Sequence, residues 1–182
     1  MKIVIVSDLH AQLRTIEYLR EIIDLEKPEA LIVSGDITSS GEVNFAEQLF
    51  ELFKNLEAVF LVCGNADLGE AKDFLETSEY SIDKKCKIYK KIKICGLSYP
   101  EETPLVGEDL GGSIFVTHRP PVKALLGAKY PNSPKYHISG HLHTVGFAKK
   151  HKATTQIQVP TLQDGKYALF VPEKDLIQFR SI

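Results

Sequence analysis

The chain has no tryptophan and a single methionine, and its three cysteines, Cys63, Cys86 and Cys95, form an odd set without paired spacing. That scarcity argues against a disulfide scaffold, so the three read as core thiols of a reducing compartment. Neither sign of charge dominates: 22 Lys and Arg stand against 24 Asp and Glu, a formal net charge of -2. Such a balance gives no general footprint for nucleic acid or an acidic membrane. Long apolar runs are missing too. The first run, after Lys2, is broken by Asp8 and is too short for a signal peptide or a membrane span, which leaves a cytoplasmic location as the expectation. The abundance of Lys, Glu and Ile agrees with a thermophilic composition. What is present, 43% hydrophobic and 25% charged residues, describes one globular domain over residues 1–182 with a good core.

Lys2 to Val6 is β-branched without polar alternation, as in a strand covered on both faces. Leu13, Ile16, Leu19, Ile22 and Ile23 then predict a helix from about Ala11 to Leu25, which Pro28 stops and which Ser7 or Asp8 could cap. Ala30 to Val33 is the next strand. Ser39 with Glu42 resembles a capping box ahead of the apolar stripe Phe45, Leu49, Leu52 and Phe53. Ala58 to Cys63 is a third strand, and a short helix covers Glu70 to Leu75. This order implies parallel strands with crossover helices. Short strands follow at Cys86 to Tyr89, Ile92 to Cys95, Ser113 to Thr117 and Tyr136 to Ser139, joined mostly by turns. Ala153 to Val159, Tyr167 to Val171 and Leu176 to Arg180 are expected to finish a more antiparallel sheet. Two packed sheets with helices outside fit the order. The loop from Ser98 to Gly112, rich in Gly, Pro and acidic residues, is the expected mobile rim.

Polar residues recur where each hydrophobic run stops. The first gives Asp8 and His10, the second Asp36, the third Asn65 and Asp67, and the later strands give His118, His141 and His143. Ligands bind beyond the carboxyl ends of parallel strands, so these sets should meet at one edge. A single His or Asp there is most often structural. Seven nitrogen and oxygen donors at five strand ends point instead to a metal cluster, and without a cysteine pair they argue against iron–sulfur or zinc–thiolate chemistry. They exceed the four ligands of one zinc and suit two ions about 3.5 to 4 Å apart that share a carboxylate.

The fragments DLH at Asp8 to His10, GD at Gly35 to Asp36, GNAD at Gly64 to Asp67, TH at Thr117 to His118 and GHLH at Gly140 to His143 together resemble the calcineurin-like metallophosphoesterases, in particular their small bacterial and archaeal phosphodiesterase branch. The resemblance implies a four-layer α-β-β-α fold, two mixed sheets packed face to face with flanking helices. It implies that Asp8, His10, Asp36 and His143 hold one metal and Asp36, Asn65, His118 and His141 the other. Asp36 would bridge, and Asp36, Asn65 and His118 are the expected catalytic residues. The implied reaction is hydrolysis of a phosphodiester by a hydroxide held between two divalent transition-metal ions, manganese first, with iron, nickel or zinc as alternatives. The expected substrate is a small phosphate ester or cyclic nucleotide; no membrane partner is expected, a nucleic acid is not favoured, and homo-oligomerisation stays open.

Many members carry a histidine after the motif asparagine, and here that residue is Ala66. Its absence removes a candidate general acid and tilts the expectation toward esters with good leaving groups. The alternative is a non-catalytic protein-binding scaffold of the same fold, similar to the retromer subunit. Asp67 could orient its loop or a ligand. Arg119 reads equally as a solvent-exposed charge ahead of a helix opened by Pro120 and Pro121, or as a phosphate contact. Lys149, Lys150, His151 and Lys152 read as a basic turn, His137 as a core or surface residue, Cys63 as strand packing, and Ser7 and Ser34 as donors supporting the ligand loops.

Overall fold

The computed structural model describes residues 1–101, 108–120 and 132–182. The chain runs β1 (Ile3–Val6), α1 (Leu13–Glu26), β2 (Ala30–Ser34), α2 (Val43–Phe53), β3 (Val59–Val62) and α3 (Gly69–Thr77), as the crossover pattern requires. Then come β4 (Lys85–Tyr89), β5 (Ile92–Leu97), β6 (Ile114–Thr117), β7 (Tyr136–Ser139), β8 (Phe147–His151), β9 (Thr154–Gln158), β10 (Lys166–Val171) and β11 (Leu176–Ser181). One sheet has the order β11-β10-β1-β2-β3, the other β4-β5-β6-β7-β9-β8. The result is the four-layer α/β/β/α arrangement, two mixed sheets flanked by helices.

Alternation along the strands builds the layers. Ile3, Ile5, Ile32, Phe60 and Val62 point to the second sheet and meet Ile94, Val116, Ile138 and Ile157 in a core between the sheets. Val4, Val6, Leu31, Val33 and Leu61 point the other way and bury Leu19, Ile22, Leu49, Phe53 and Leu75 of the helices. β1, β2 and β3 are thus buried on both faces, the reason their runs show no polar alternation.

Several expectations are corrected. The second sheet is not mainly antiparallel: β5, β6, β7 and β9 are parallel, and only β4 and β8 pair antiparallel. The connections between its buried strands are long enough for crossovers rather than turns. The last two strands leave that sheet altogether, since β10 pairs antiparallel with β1 and β11 with β10. The basic turn at residues 149–152 is largely strand β8, an edge whose five residues are all exposed and which therefore lacks a hydrophobic signal. Ser39 does not cap α2: the Glu42 carboxylate takes the N–H groups of Ser39 and Ser40 at 2.8 and 3.0 Å, and the helix starts at Val43. Gln12, not Ser7 or Asp8, stands at the N-cap of α1. The reading of three unpaired thiols also fails. Cys86 and Cys95 oppose each other in register on β4 and β5 and form a disulfide, and Cys63 alone is a free, buried thiol. Residues 102–107 of the expected rim, and the start of the helix expected after Pro120, lie outside the described residues.

Candidate metal centre

The pairing of β1 with β2 continues beyond both strands. Asp8 N–H donates to Gly35 O (3.1 Å), Leu9 and His10 N–H to Asp36 O (2.8 and 3.0 Å), and Ala11 N–H to Ile37 O (3.0 Å), which draws Asp8, His10 and Asp36 to one point. In the second sheet Gly140 N–H donates to His118 O (2.9 Å), continuing the β6–β7 pairing, and across the gap between sheets His141 N–H reaches the Asp8 carboxylate (3.2 and 3.1 Å). Five of the seven expected ligands have left-handed backbone: Asp8 (φ 58°), His10 (50°), Asp36 (50°), His141 (72°) and His143 (48°). Each such residue costs of order 1 kcal/mol, and strain of this kind concentrates where side chains must be turned toward a site. Gly140 allows the close contact of the two sheets, because a Cβ there would lie 1.7 Å from Ser7 Oγ and 2.9 Å from Asp8 Oδ2.

Two donor clusters share Asp36: Asp8, His10, Asp36 and His143 in one, Asp36, His118 and His141 in the other, with the ligand atoms of each within 4.8 Å of one another. His10 Nε2 lies 3.1 Å from His143 Nε2, and His143 Nε2 lies 3.2 Å from Asp8 Oδ1. Asp36 Oδ2 is 3.6 Å from His10 Nε2 and 3.3 Å from His118 Nε2. His118 Nδ1 donates to Ser34 O at 2.9 Å, so in the neutral ring Nε2 carries the lone pair. That lone pair faces Asn65 Oδ1 at 3.1 Å and His141 Nδ1 at 3.3 Å. Acceptors converging on acceptors repel unless a proton or a cation sits among them, so this donor set fits divalent metal ions. Asp8, Asp36 and His118 are buried, whereas His143 is 41% exposed and opens the centre to solvent.

The electrostatics follow the geometry. Burial alone would raise the Asp36 pKa, but the His118 hydrogen bond and charge, the Ala66 N–H at 2.8 Å and His10 together lower it. Burial works against a charged His118 as well, and Asp36, Ser34 O and Asp8 overcome it and raise that pKa. His141 is lowered, first by burial and then by the neighbouring His118 charge.

All seven expected ligand residues therefore come together. Asp67 does orient its loop: buried, it accepts Thr38 N–H (2.6 Å), Thr38 Oγ1–H (2.9 Å) and Gly64 N–H (2.8 Å). Ser7 Oγ donates to Ser34 O at 3.2 Å, so Ser7 secures the β1–β2 end. His137 is in the core and His151 on the exposed edge, and neither joins the centre. Three supporting residues escaped the sequence. Thr161 Oγ1 donates to Asp8 O (3.0 Å), Gln158 Nε2 to Gly140 O (2.6 Å), and buried Glu101 holds Arg119. Thr161 and Gln158 act on carbonyls distant in sequence, and only their polar character beside buried Ile157 and Val159 hinted at them.

Residues 1–162 match the calcineurin-like phosphoesterase superfamily domain. The chain belongs to that superfamily. It is 32% identical over 143 residues to MJ1162, an uncharacterized protein of Methanocaldococcus jannaschii, an alignment covering 69% of this chain and 63% of that relative. The calcineurin-like fold superposes on TT1561 of Thermus thermophilus with a TM-score of 0.75 at 13% identity, covering 99% of this chain and 98% of the other. It also superposes on a structure described as a novel archaeal phosphodiesterase, TM-score 0.60 and 19% identity, over 100% of both chains. On this fold two donor groups that could each hold a metal ion share one carboxylate, Asp36. No helix among the described residues is long and apolar enough to cross a membrane.

Proposed function

We propose that the protein is a binuclear metal-dependent phosphodiesterase acting on a small phosphate ester or cyclic nucleotide. The observation that carries this reading is the convergence of four imidazoles and two carboxylates into two clusters sharing Asp36. Asp8, His10, Asp36 and His143 would hold one ion, and Asp36, Asn65, His118 and His141 the other. Manganese is the first choice, because it tolerates carboxylate and water ligands, with iron, nickel and zinc next. Two such ions, when bound, supply Lewis acidity and a water of lowered pKa.

The chain's own residues do the rest. Asp36, held by Ala66 N–H, keeps both clusters at a fixed separation. Ser34 O fixes the His118 tautomer, and the Asp8 carboxylate is set by the His141 N–H. Asn65 points its carbonyl oxygen at His118 Nε2, which leaves its amide nitrogen to donate to a phosphoryl oxygen. Ala66 offers no proton to a departing group, which favours phosphodiesters whose leaving group needs none. The structure described as an archaeal phosphodiesterase supports a diester over a monoester. A cytoplasmic location loses the support the cysteines gave it, because Cys86 and Cys95 are bonded. The scaffold alternative gains no observation here.

The test is a metal-resolved screen of the purified protein against phosphodiesters and monoesters. Turnover of p-nitrophenyl or cyclic nucleotide diesters with manganese ahead of magnesium is expected. Turnover of no ester with any metal would refute the proposal and return the scaffold reading.

A further inference from the structure

Arg119 directly follows His118 and stands apart from the other cations of the surface. Its backbone N–H donates to Glu101 Oε1 at 2.9 Å and its Nε to Glu101 Oε2 at 3.0 Å. Its Cζ lies 4.5 Å from the centre of the Tyr99 ring. Glu101 is buried, 3% exposed at its side chain, while the Arg119 side chain is 43% exposed. The support is itself anchored: Tyr99 N–H donates to Cys63 O (2.9 Å) and Lys72 Nζ to Tyr99 O (2.7 Å). Those bonds place the Tyr99–Glu101 stretch beside the strand end that leads into Gly64, Asn65 and Ala66.

A guanidinium carries five N–H donors in a planar fork and can meet a carboxylate with two parallel hydrogen bonds. Here the buried carboxylate takes the backbone N–H and Nε. Both Nη nitrogens have no partner among the described residues. The stem is thus held, by a carboxylate on its edge and a ring on its face, while no described residue engages the donating end. Rotamer entropy has already been lost before any ligand arrives. The arginine charge also reaches His141, whose cation it disfavours.

We propose that Arg119 binds the phosphoryl group of the substrate through its two Nη donors, on the Asn65 side of the metal centre where Ala66 supplies no polar group, and that Glu101 and Tyr99 are its positioning residues. The proposal rests on the phosphoesterase reading and deepens it. A fixed two-donor fork complements two phosphoryl oxygens, so the preferred ligand is a compact anion of that geometry, with inorganic phosphate as its simplest form.

The test measures binding of inorganic phosphate to the manganese-loaded protein by calorimetry, together with kcat and KM on a p-nitrophenyl diester, metal content and Tm. Arg119→Gln should weaken phosphate binding about 10- to 100-fold, with two ions still bound. Arg119→Lys, which keeps the charge and loses the fork, should weaken it several-fold. Glu101→Gln should raise KM more than it lowers Tm, because the guanidinium remains but is no longer held. Wild-type phosphate affinity in both Arg119 variants, with a lowered Tm, would overturn the proposal and make the pair structural. If the wild type hydrolyses no ester, the phosphoesterase reading fails, and the phosphate titration still decides whether Arg119 binds the anion.

Discussion

Gly64 is an exacting position, packed directly against the shared carboxylate. A Cβ added there would lie 2.2 Å from Asp36 Oδ1, 2.4 Å from Asp36 N and 2.8 Å from His118 Cγ, where ordinary contact begins at 3.4 Å. Gly64→Ala must therefore move the shared carboxylate or the loop by roughly 1 Å. The loop resists, because Asp36 O accepts from Leu9 and His10 N–H, so the carboxylate gives way. Overpacking costs about 1–3 kcal/mol, and loss of the Ala66 hydrogen bond to a charged acceptor about 1.5–3 kcal/mol. Since about 1.4 kcal/mol is tenfold, affinity should fall by more than about 10-fold at both sites together, with Tm several degrees lower. Gly69→Ala is the control without a steric clash. Gly69, unlike Gly64, has positive φ (53°), and nothing lies within 4 Å of its added Cβ, so an alanine there carries backbone strain without a clash. Manganese titration by equilibrium dialysis and elemental analysis, with thermal melts of both variants, reads the difference. Wild-type occupancy in Gly64→Ala, or equal metal loss in Gly69→Ala, would refute the packing argument.

Asp36→Asn should lower metal occupancy at both sites and abolish most hydrolysis while leaving the far-UV spectrum intact; two ions retained by elemental analysis would rule out a bridging role. Burial pushes the His137 pKa down to about 3, well below the unfolded value of about 6.5, so the unfolded chain takes the proton first. Stability is then fully present above about pH 6.5 and falls as pH drops toward 3, by up to about 1.4 kcal/mol per unit, and urea titrations of His137→Gln should show a shallower loss between pH 6 and 4 than the wild type. Ala66→His should speed diesters with alkyl leaving groups more than p-nitrophenyl esters, read as kcat/KM across a leaving-group series; a parallel rise for all would exclude proton donation to the leaving group.

The ligands were legible because Asp and His are costly at the ends of buried runs unless something satisfies them, and Asp8, Asp36 and His118 are indeed buried. The helices over α1 and α2 were legible from their apolar stripes, to within a few residues at their starts. Strand β8 was not, since Phe147 to His151 bury nothing and carry no alternation. The Cys86–Cys95 bond depends on cross-strand register, which nine residues of spacing do not reveal. Glu101 was hidden for another reason. Its meaning comes from Arg119 and Tyr99, partners that only the parallel alignment of β5 with β6 brings together.

The centre's position has a mechanical consequence. Asp8, His10, Asp36 and Asn65 follow strands of one sheet, whereas His118, His141 and His143 follow β6 and β7 of the other. Each donor cluster therefore draws on both sheets, and neither sheet alone completes one. An ion seated there acts as a rivet across the sandwich, and its binding free energy is also cohesion between the two layers. Shear of one sheet over the other would pull the donor atoms apart, so the rigidity of the scaffold and the grip on the metal rise and fall together.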